Sequence, residues 1–385
     1  MHQRRGNTLR FNPVLHGMRA MAALAVVLFH WGSGIGFFPQ ARAHMSVSAF
    51  DTRWDLGLFL DYGWLGVLLF FVLSGYLLAS QLLHRELNMA KVTGFWLRRG
   101  LRIYPAFWLQ LLILLLVARS VSSMPQMTAG GDIVRHIFLW INLPPSMTVP
   151  MNSVWWTLPV ELGFYLVLPL LVLLSNRVGW LRVFVAAVVI TIGWRYGVMW
   201  IYRGESYVTH QAILDSIPGA LSTFCTGVAL AYYIAARGIP VFRKRYILLA
   251  VSIVLLCEMM VWLNVNLDTY WRGHWMLGIW NPLMGILIGT LMFSLILPLE
   301  GFKWLSSKPM VWLGDISFGI YLWHYPLLML FERTILHDWQ TPLLSVLALL
   351  LTLTGTLMLA SISYYLIEKP MMGKRFLQHP ERTRS

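Results

Sequence analysis

Charge is what this 385-residue sequence has least of. Only 12% of its residues are Asp, Glu, Lys or Arg, about half the share of an ordinary soluble domain. Cysteine is nearly missing too. Cys225 and Cys257 both sit inside apolar runs, which excludes a disulfide framework and a cysteine-based metal cluster. The alternating ten-residue pattern of a closed β-barrel is absent, because the apolar runs are continuous. There is no internal repeat, no low-complexity linker and no polar stretch long enough for a separate soluble domain. The opening apolar segment lacks a clean small-x-small cleavage site and carries Arg19 and His30, so it reads as a retained helix rather than a removable leader.

What is present is apolar: 58% of the chain, in blocks that reach the roughly 20 residues needed to cross a bilayer as a helix. The blocks predict helices near 16–37, 60–83, 102–118, 154–175, 181–201, 213–235, 246–264, 275–298, 311–331 and 342–367, with a short interfacial helix near 132–141. The fold class is therefore an all-α integral membrane protein, a bundle of about ten transmembrane helices. It forms one domain over 1–385, with the bundle at about 16–367 and a basic tail at 368–385. With this count, 22 of the 30 Lys and Arg fall on the side of both termini and 7 on the other. Such a bias predicts that both termini are cytoplasmic. It also accounts for the net charge of +14 without nucleic acid. Most of the 19 tryptophans, among them Trp54, Trp155, Trp156, Trp200, Trp271, Trp275 and Trp304, lie near helix ends, as an interfacial aromatic belt would. Trp323, beside His324, lies well inside a helix.

Ionisable residues at membrane depth are costly and usually face the bundle interior. The candidates are His30, Glu161, Arg195, Glu258 and His324, with Arg19, Asp215, Asp315 and Glu368 at helix edges. Arg19 and His30 are eleven residues apart, so they share one helix face, about 16 Å apart along the axis. A groove on that face would have a fixed cation at its mouth and a proton acceptor at its end. The plainer alternative is a snorkelling Arg and a hydrogen-bonded core His. Arg98, Arg99 and Arg102 open the third helix in RRGLRIYP. Arg99 and Arg102 share a face and suit phosphate, although ordinary cytoplasmic charge explains them equally well. Glu161, in SVWWTLPVELGFYL, has Tyr165 one turn further along its face. By residue count His30, Glu161 and His324 sit at comparable depths, where they could form an acid/base site or be three separately satisfied core groups. His30 and His324 alone are too few ligands for zinc, so no metal is expected.

Taken in order, HGMRAMAALAVVLFHW, LFFVLSGYLL, RRGLR, VWWTLPVELGFY, ISFGIYLWHYPLL and YYLIEKP resemble the membrane acyltransferase 3 family across residues 14–370. The resemblance implies a multi-pass protein of the bacterial cytoplasmic (inner) membrane. It would transfer an acyl group, acetyl above all, from cytoplasmic acyl-CoA to a hydroxyl of an extracytoplasmic or lipid-linked glycan. It further implies His30 as the catalytic histidine, and Arg19, Arg99 and Arg102 as the residues holding the donor's phosphates. Glu161 and His324 would then orient His30 or position the acceptor. The expected partners are acyl-CoA, the glycan and membrane lipids, with no permanently bound cofactor. Some relatives carry a further hydrolase-like domain. With the chain ending at Ser385, the expectation is that the membrane domain performs the transfer itself or with a separate protein. The rival class is a transporter or flippase for a glycan or lipid carrier, with no chemistry of its own.

Overall fold

In hydrocarbon, every backbone N–H and C=O must find its partner inside the protein, so a spanning segment with few charges folds as a helix. A computed structural model describes residues 12–32, 46–49, 52–55, 57–83, 86–118, 130–144, 147–238, 245–334 and 342–373. The long helices are α1 (Pro13–Gly32), α2 (Leu65–Leu82), α3 (Met89–Ala118), α4 (Thr157–Val178), α5 (Trp180–Ile201), α6 (Ile217–Arg237), α7 (Arg245–Val265), α8 (Met276–Leu295), α9 (Ser317–Thr334) and α10 (Pro342–Ser363). Among the described residues, nine helices are long and apolar enough to cross a membrane. The remaining one, α9, is less apolar because it is interrupted by Tyr, His and Pro. Its surroundings are protein rather than lipid, and Ile320, Leu322, His324 and Leu328 are fully buried. The protein is an all-α integral membrane protein. Its other regular element among the described residues is a small antiparallel hairpin, Ser46–Ala49 with Thr52–Asp55, outside the spanning segments.

Several boundaries differ from the sequence expectation. Helix α1 ends at Gly32, and residues 33–38 of the expected first span lie outside the described residues. Helix α3 starts at Met89 instead of 102, so Arg98, Arg99 and Arg102 lie within it and do not open it. The added segment is amphipathic, and it buries Phe95 while leaving Leu97 exposed. The span expected at 311–331 is two helices, Lys308–Asp315 and α9. Helix α10 continues through a π-helical turn, Tyr364–Glu368, into Lys369–Gly373. A short helix, Gly130–Ile137, matches the interfacial one expected near 132–141.

Proline positions two of the cross-links between helices. A proline inside a helix leaves the carbonyl four residues earlier without its N–H donor. Pro169 does this to Tyr165, whose carbonyl accepts instead from Trp96 Nε1 of α3 at 3.0 Å. Pro326 does it to Leu322, whose carbonyl accepts from Gln110 Nε2 at 2.6 Å and Asn152 Nδ2 at 3.1 Å. Asn152 belongs to the loop before α4, which sinks into the bundle: Met151 and Asn152 are buried. His136 of Gly130–Ile137 holds this loop by accepting the Met151 N–H at Nε2, 3.1 Å away. Burial keeps the His136 imidazole below its ordinary pKa, which favours that acceptor role.

Helices α2 and α6 cross at glycine. A Cβ on Gly75 would lie 2.0 Å from the Phe224 carbonyl oxygen, and one on Gly227 would lie 2.0 Å from that of Val72. Only glycine permits this approach. Beside the crossing, Phe224 stacks between Phe71 and Phe164 at centroid distances of 4.3 and 4.0 Å.

Helices α1 and α9 are joined at two levels. Arg19 donates to Ser317 Oγ from Nε at 3.2 Å and from Nη2 at 3.0 Å. His30 meets His324 at 3.1 Å. The two contacts occur in the same order along both helices, so α1 and α9 run parallel. Parallel spans must be separated by an odd number of intervening crossings, as the ten-helix count requires.

Candidate functional site

Two cavities lie one above the other between these helices. The first is a slot of about 70 Å³ beside the start of α1 and α9. Arg19, Arg99, Arg102, Ser74, Glu161 and Tyr165 supply its polar lining. Among the described residues none of the three arginines forms an ion pair with a carboxylate. Arg99 Nε is buried without a hydrogen-bond partner, and its guanidinium lies 5.8 Å from the Phe95 ring centroid. The slot's carboxylate, Glu161, is already engaged: it accepts from the Tyr165 hydroxyl and from Ser74 Oγ at 3.3 Å. Three guanidiniums in a partly buried slot with one occupied carboxylate leave a positive excess. Such a site favours an anion with several acceptor oxygens.

The second cavity is wider, about 630 Å³, and opens at the opposite end of the bundle. His30 lines it, together with the outer ends of α2 and α5 to α8. Val67, Phe71 and Tyr321 line both cavities and so form the partition between slot and chamber. Tyr321 is fixed by hydrogen bonds from its hydroxyl to the Val154 carbonyl, 2.7 Å, and with Thr157 Oγ1, 2.9 Å.

The tautomers of the histidine pair follow from its neighbours. His324 Nδ1 lies 3.0 Å from the Ile320 carbonyl, which can only accept, so Nδ1 carries the proton and Nε2 is a lone pair. That lone pair faces His30 Nδ1, which also lies 3.0 Å from the Val26 carbonyl. His30 Nδ1 is therefore the protonated nitrogen, and its Nε2 remains as the basic one. A histidine so oriented, with one nitrogen held and the other free, is the arrangement a general base or nucleophile needs.

The structure thus gathers Arg19, Arg99 and Arg102 at one end and His30 with His324 at the other. Glu161 does not join the histidines. Equal depth was expected, but Glu161 lies in the slot, one turn beyond the Thr157–Tyr321 contact. The cause is the sunken loop before α4, which starts that helix already deep in the bundle and carries Glu161 towards the arginines. The tryptophans divide as well. Trp200, Trp275 and Trp304 are exposed, as in a belt. Trp155 is buried and donates to Gln110 Oε1 at 2.7 Å, while Trp156 and Trp271 line the chamber. The side chain of Trp54 lies outside the described residues. Of the other ionisable candidates, Arg195 is paired with Asp215 at 2.7 Å on the chamber wall, and Glu258 is exposed on α7.

Ser74, Ser317 and Tyr321 escaped the sequence reading, whereas Glu368 was a candidate at a helix edge. The π-helical turn buries Glu368, where it accepts from Ser363 Oγ at 3.1 Å and feels the charges of Arg102 and Arg19. Serine and tyrosine in an apolar run carry no signal of their own. The family motifs around Ser74 and Ser317 are the one clue the sequence offered. Among the described residues no group of three or more His, Cys, Asp or Glu is gathered as a metal site.

A family model described as an acyltransferase domain matches residues 12–361. The peptidoglycan O-acetyltransferase of Listeria monocytogenes is 25% identical over 402 residues, covering 96% of this chain and 57% of that relative. A Bacillus subtilis protein provisionally named a peptidoglycan O-acetyltransferase is 26% identical, over 95% of this chain and 56% of its own length. A Staphylococcus aureus protein provisionally named an O-acetyltransferase is 24% identical, over 94% and 57%. The chain therefore spans little more than half the length of these relatives. No solved structure matches it.

Proposed function

This chain belongs to that acyltransferase-domain family, and from this premise we propose that it transfers an acyl group, acetyl above all, from acyl-CoA to a glycan hydroxyl on the far side of the bacterial cytoplasmic membrane. The observation that carries the reading is the set of three arginines that, among the described residues, have no carboxylate partner, in a slot that leads along one face of α1 to a histidine whose basic nitrogen has no partner among those residues. The 22:7 distribution of Lys and Arg supports placing the slot, and both termini, at the cytoplasm. The relatives' glycan substrates support a hydroxyl acceptor.

In this reading the donor's phosphates meet Arg19, Arg99 and Arg102. The nucleotide head stays at the cytoplasmic mouth while the thin pantetheine arm runs inward. The thioester passes the Val67–Phe71–Tyr321 partition to reach His30. His30 Nε2 takes the proton of the acceptor hydroxyl as its oxygen attacks the thioester carbonyl. The C–O ester bond forms, the C–S bond breaks, and the proton moves on to the departing thiolate. His324 keeps His30 in the required tautomer and shares the positive charge as it develops. Glu161, tied to Tyr165, limits the slot's positive excess and orients its wall. No permanently bound cofactor is needed.

The test is label transfer from radioactive acetyl-CoA to cell-wall glycan by the purified protein in liposomes. Wild type should transfer. His30→Gln should fold and bind acetyl-CoA yet transfer nothing, because the amide can hold the hydrogen bonds but cannot accept the proton. Substantial transfer by His30→Gln would remove His30 from the chemistry. A label trapped on His30 after rapid quenching would make it the nucleophile instead of the base.

A further inference from the structure

The chamber at the His30 end has a chemistry of its own. Tyr62, Trp64, Trp156, Tyr270, Trp271 and Trp280 supply a wall of aromatic rings. Between them lie hydrogen-bonding groups: Asp61, Asp215, Gln211, Asn264 and Asn281. Asp215 is held on one side only. Its Oδ1 accepts from Arg195 Nη1 at 2.7 Å and from Asn281 Nδ2 at 3.3 Å. Arg195 is in turn fixed by donating to the carbonyls of Leu277, 2.8 Å, and Leu214, 3.2 Å. Among the described residues Oδ2 has no partner, although Asp215 is part of the chamber wall. A carboxylate oxygen left free on a rigid support is a preorganised acceptor for a hydroxyl donor.

Each class of small molecule meets this lining differently. A lipid tail would leave the carboxylate and amides unpaired, which is costly. A phosphate would meet an arginine whose charge Asp215 already neutralises. An organic cation would suit the rings, but Asp215 is compensated by Arg195 at 2.7 Å, and Asp61, the other carboxylate of the wall, is itself engaged. A sugar ring satisfies both parts, because its C–H face lies flat on an aromatic ring while its hydroxyl rim donates to carboxylate and amide oxygens. The volume of about 630 Å³ is within the usual range for enclosing such a ligand.

We propose that this chamber is a saccharide-binding site in which Asp215, clamped by Arg195 and Asn281, reads ring hydroxyls and Trp271 and Trp156 cover the ring's C–H face. Resting on the transfer reaction proposed above, it is the acceptor's site, and Asp215 is a specificity-determining residue that presents one hydroxyl to His30.

Tryptophan fluorescence of the full-length protein in lipid nanodiscs tests this, titrated with glucose, galactose, N-acetylglucosamine and its β1,4-linked disaccharide. Choline serves as the cationic control, and acetyl-CoA is titrated separately. At least one sugar should quench saturably. Asp215→Asn and Trp271→Ala should each weaken that sugar about tenfold, the effect of one lost contact of ~1.4 kcal/mol, while acetyl-CoA binds as to wild type. If Asp215→Asn fails to fold, Trp271→Ala and Gln211→Ala, at half-buried and exposed positions, carry the same expectation. The proposal is overturned if no sugar binds, if choline displaces the sugar's signal, or if folded variants bind sugar like wild type. Sugar binding without any acetyl-CoA binding would instead sink the acyl-transfer reading and leave a sugar site standing.

Discussion

The slot and the chamber share α1, α2 and α9, yet they are opposite environments. The slot is narrow, cationic and short of carboxylates. The chamber is wide and ring-lined, and Arg195 and Asp215 on its wall are paired with each other. One bundle has kept unpaired charge at the end nearest the basic loops and spent aromatic surface at the other. The difference follows from what each end can tolerate. Guanidiniums near a membrane surface can be hydrated or occupied by an anion, whereas a group deeper in the bundle must be satisfied by the protein itself, as His324 and Arg195 are. A reaction that draws an anionic donor from one side and a neutral acceptor from the other would exploit that asymmetry.

The sharpest break in the comparison is His30→Ala. Removing the base should lower the rate of transfer by about a thousandfold, with donor affinity unchanged because Arg19 lies about 16 Å away along α1 and Arg99 and Arg102 line the slot beside it. A matching loss of acetyl-CoA binding, read by calorimetry, would mean that slot and chamber are one site.

The mirror experiment acts on the slot. Arg99→Ala and Arg102→Ala should each weaken acetyl-CoA by roughly ten- to a hundredfold, from about 1.5–3 kcal/mol per charge-assisted contact. The KM for the glycan should stay put. Normal donor affinity in the double variant would return both residues to ordinary surface charge.

His324→Phe sharpens the division at the His30 end. It removes one of the two acceptors that hold the His30 tautomer, the Val26 carbonyl being the other, so kcat should fall about tenfold, as for one hydrogen bond of ~1.4 kcal/mol, with both KM values retained. A purely structural role would instead lower the melting temperature and leave kcat intact.

The smallest effect concerns the sunken loop that sets the level of Glu161. Burial depresses the His136 pKa below its ordinary 6.5, so the unfolded chain takes up its proton before the folded one does. That contribution to stability is whole above about pH 6.5 and is lost as pH falls from there through the lower folded-state pKa. The protection factor of the Met151 amide against hydrogen exchange should therefore fall on acidification, and it should be independent of pH in His136→Gln.

The parts of this layout that run along one helix were legible in the sequence. Arg19 and His30 could be placed on one face because α1 is continuous, and Arg99 with Arg102 because three residues nearly complete a turn. Relations between helices were not. Nothing in HGMRAMAALAVVLFHW or ISFGIYLWHYPLL says that His30 and His324 meet, since lateral order in a bundle leaves no periodic trace. Glu161 was misplaced because depth was counted from a membrane surface, while its helix begins at a loop drawn inside by Asn152 and His136. Trp156 and Trp271 were misread because a tryptophan at a helix end has the same local sequence whether it faces headgroups or a cavity.

The carbonyls freed by Pro169 and Pro326 have a consequence for how the protein is made. Each helix enters the bilayer with one acceptor that its own backbone cannot satisfy, and the missing donors, Trp96, Gln110 and Asn152, arrive on other segments. Insertion therefore leaves α4 and α9 unfinished until lateral assembly brings α3 and the sunken loop against them. Those bonds can form only once the segments pack together, in the same step that aligns the slot with the chamber. A chain that loses Gln110 should be synthesised and inserted normally, then be removed by membrane quality control before it ever meets a substrate.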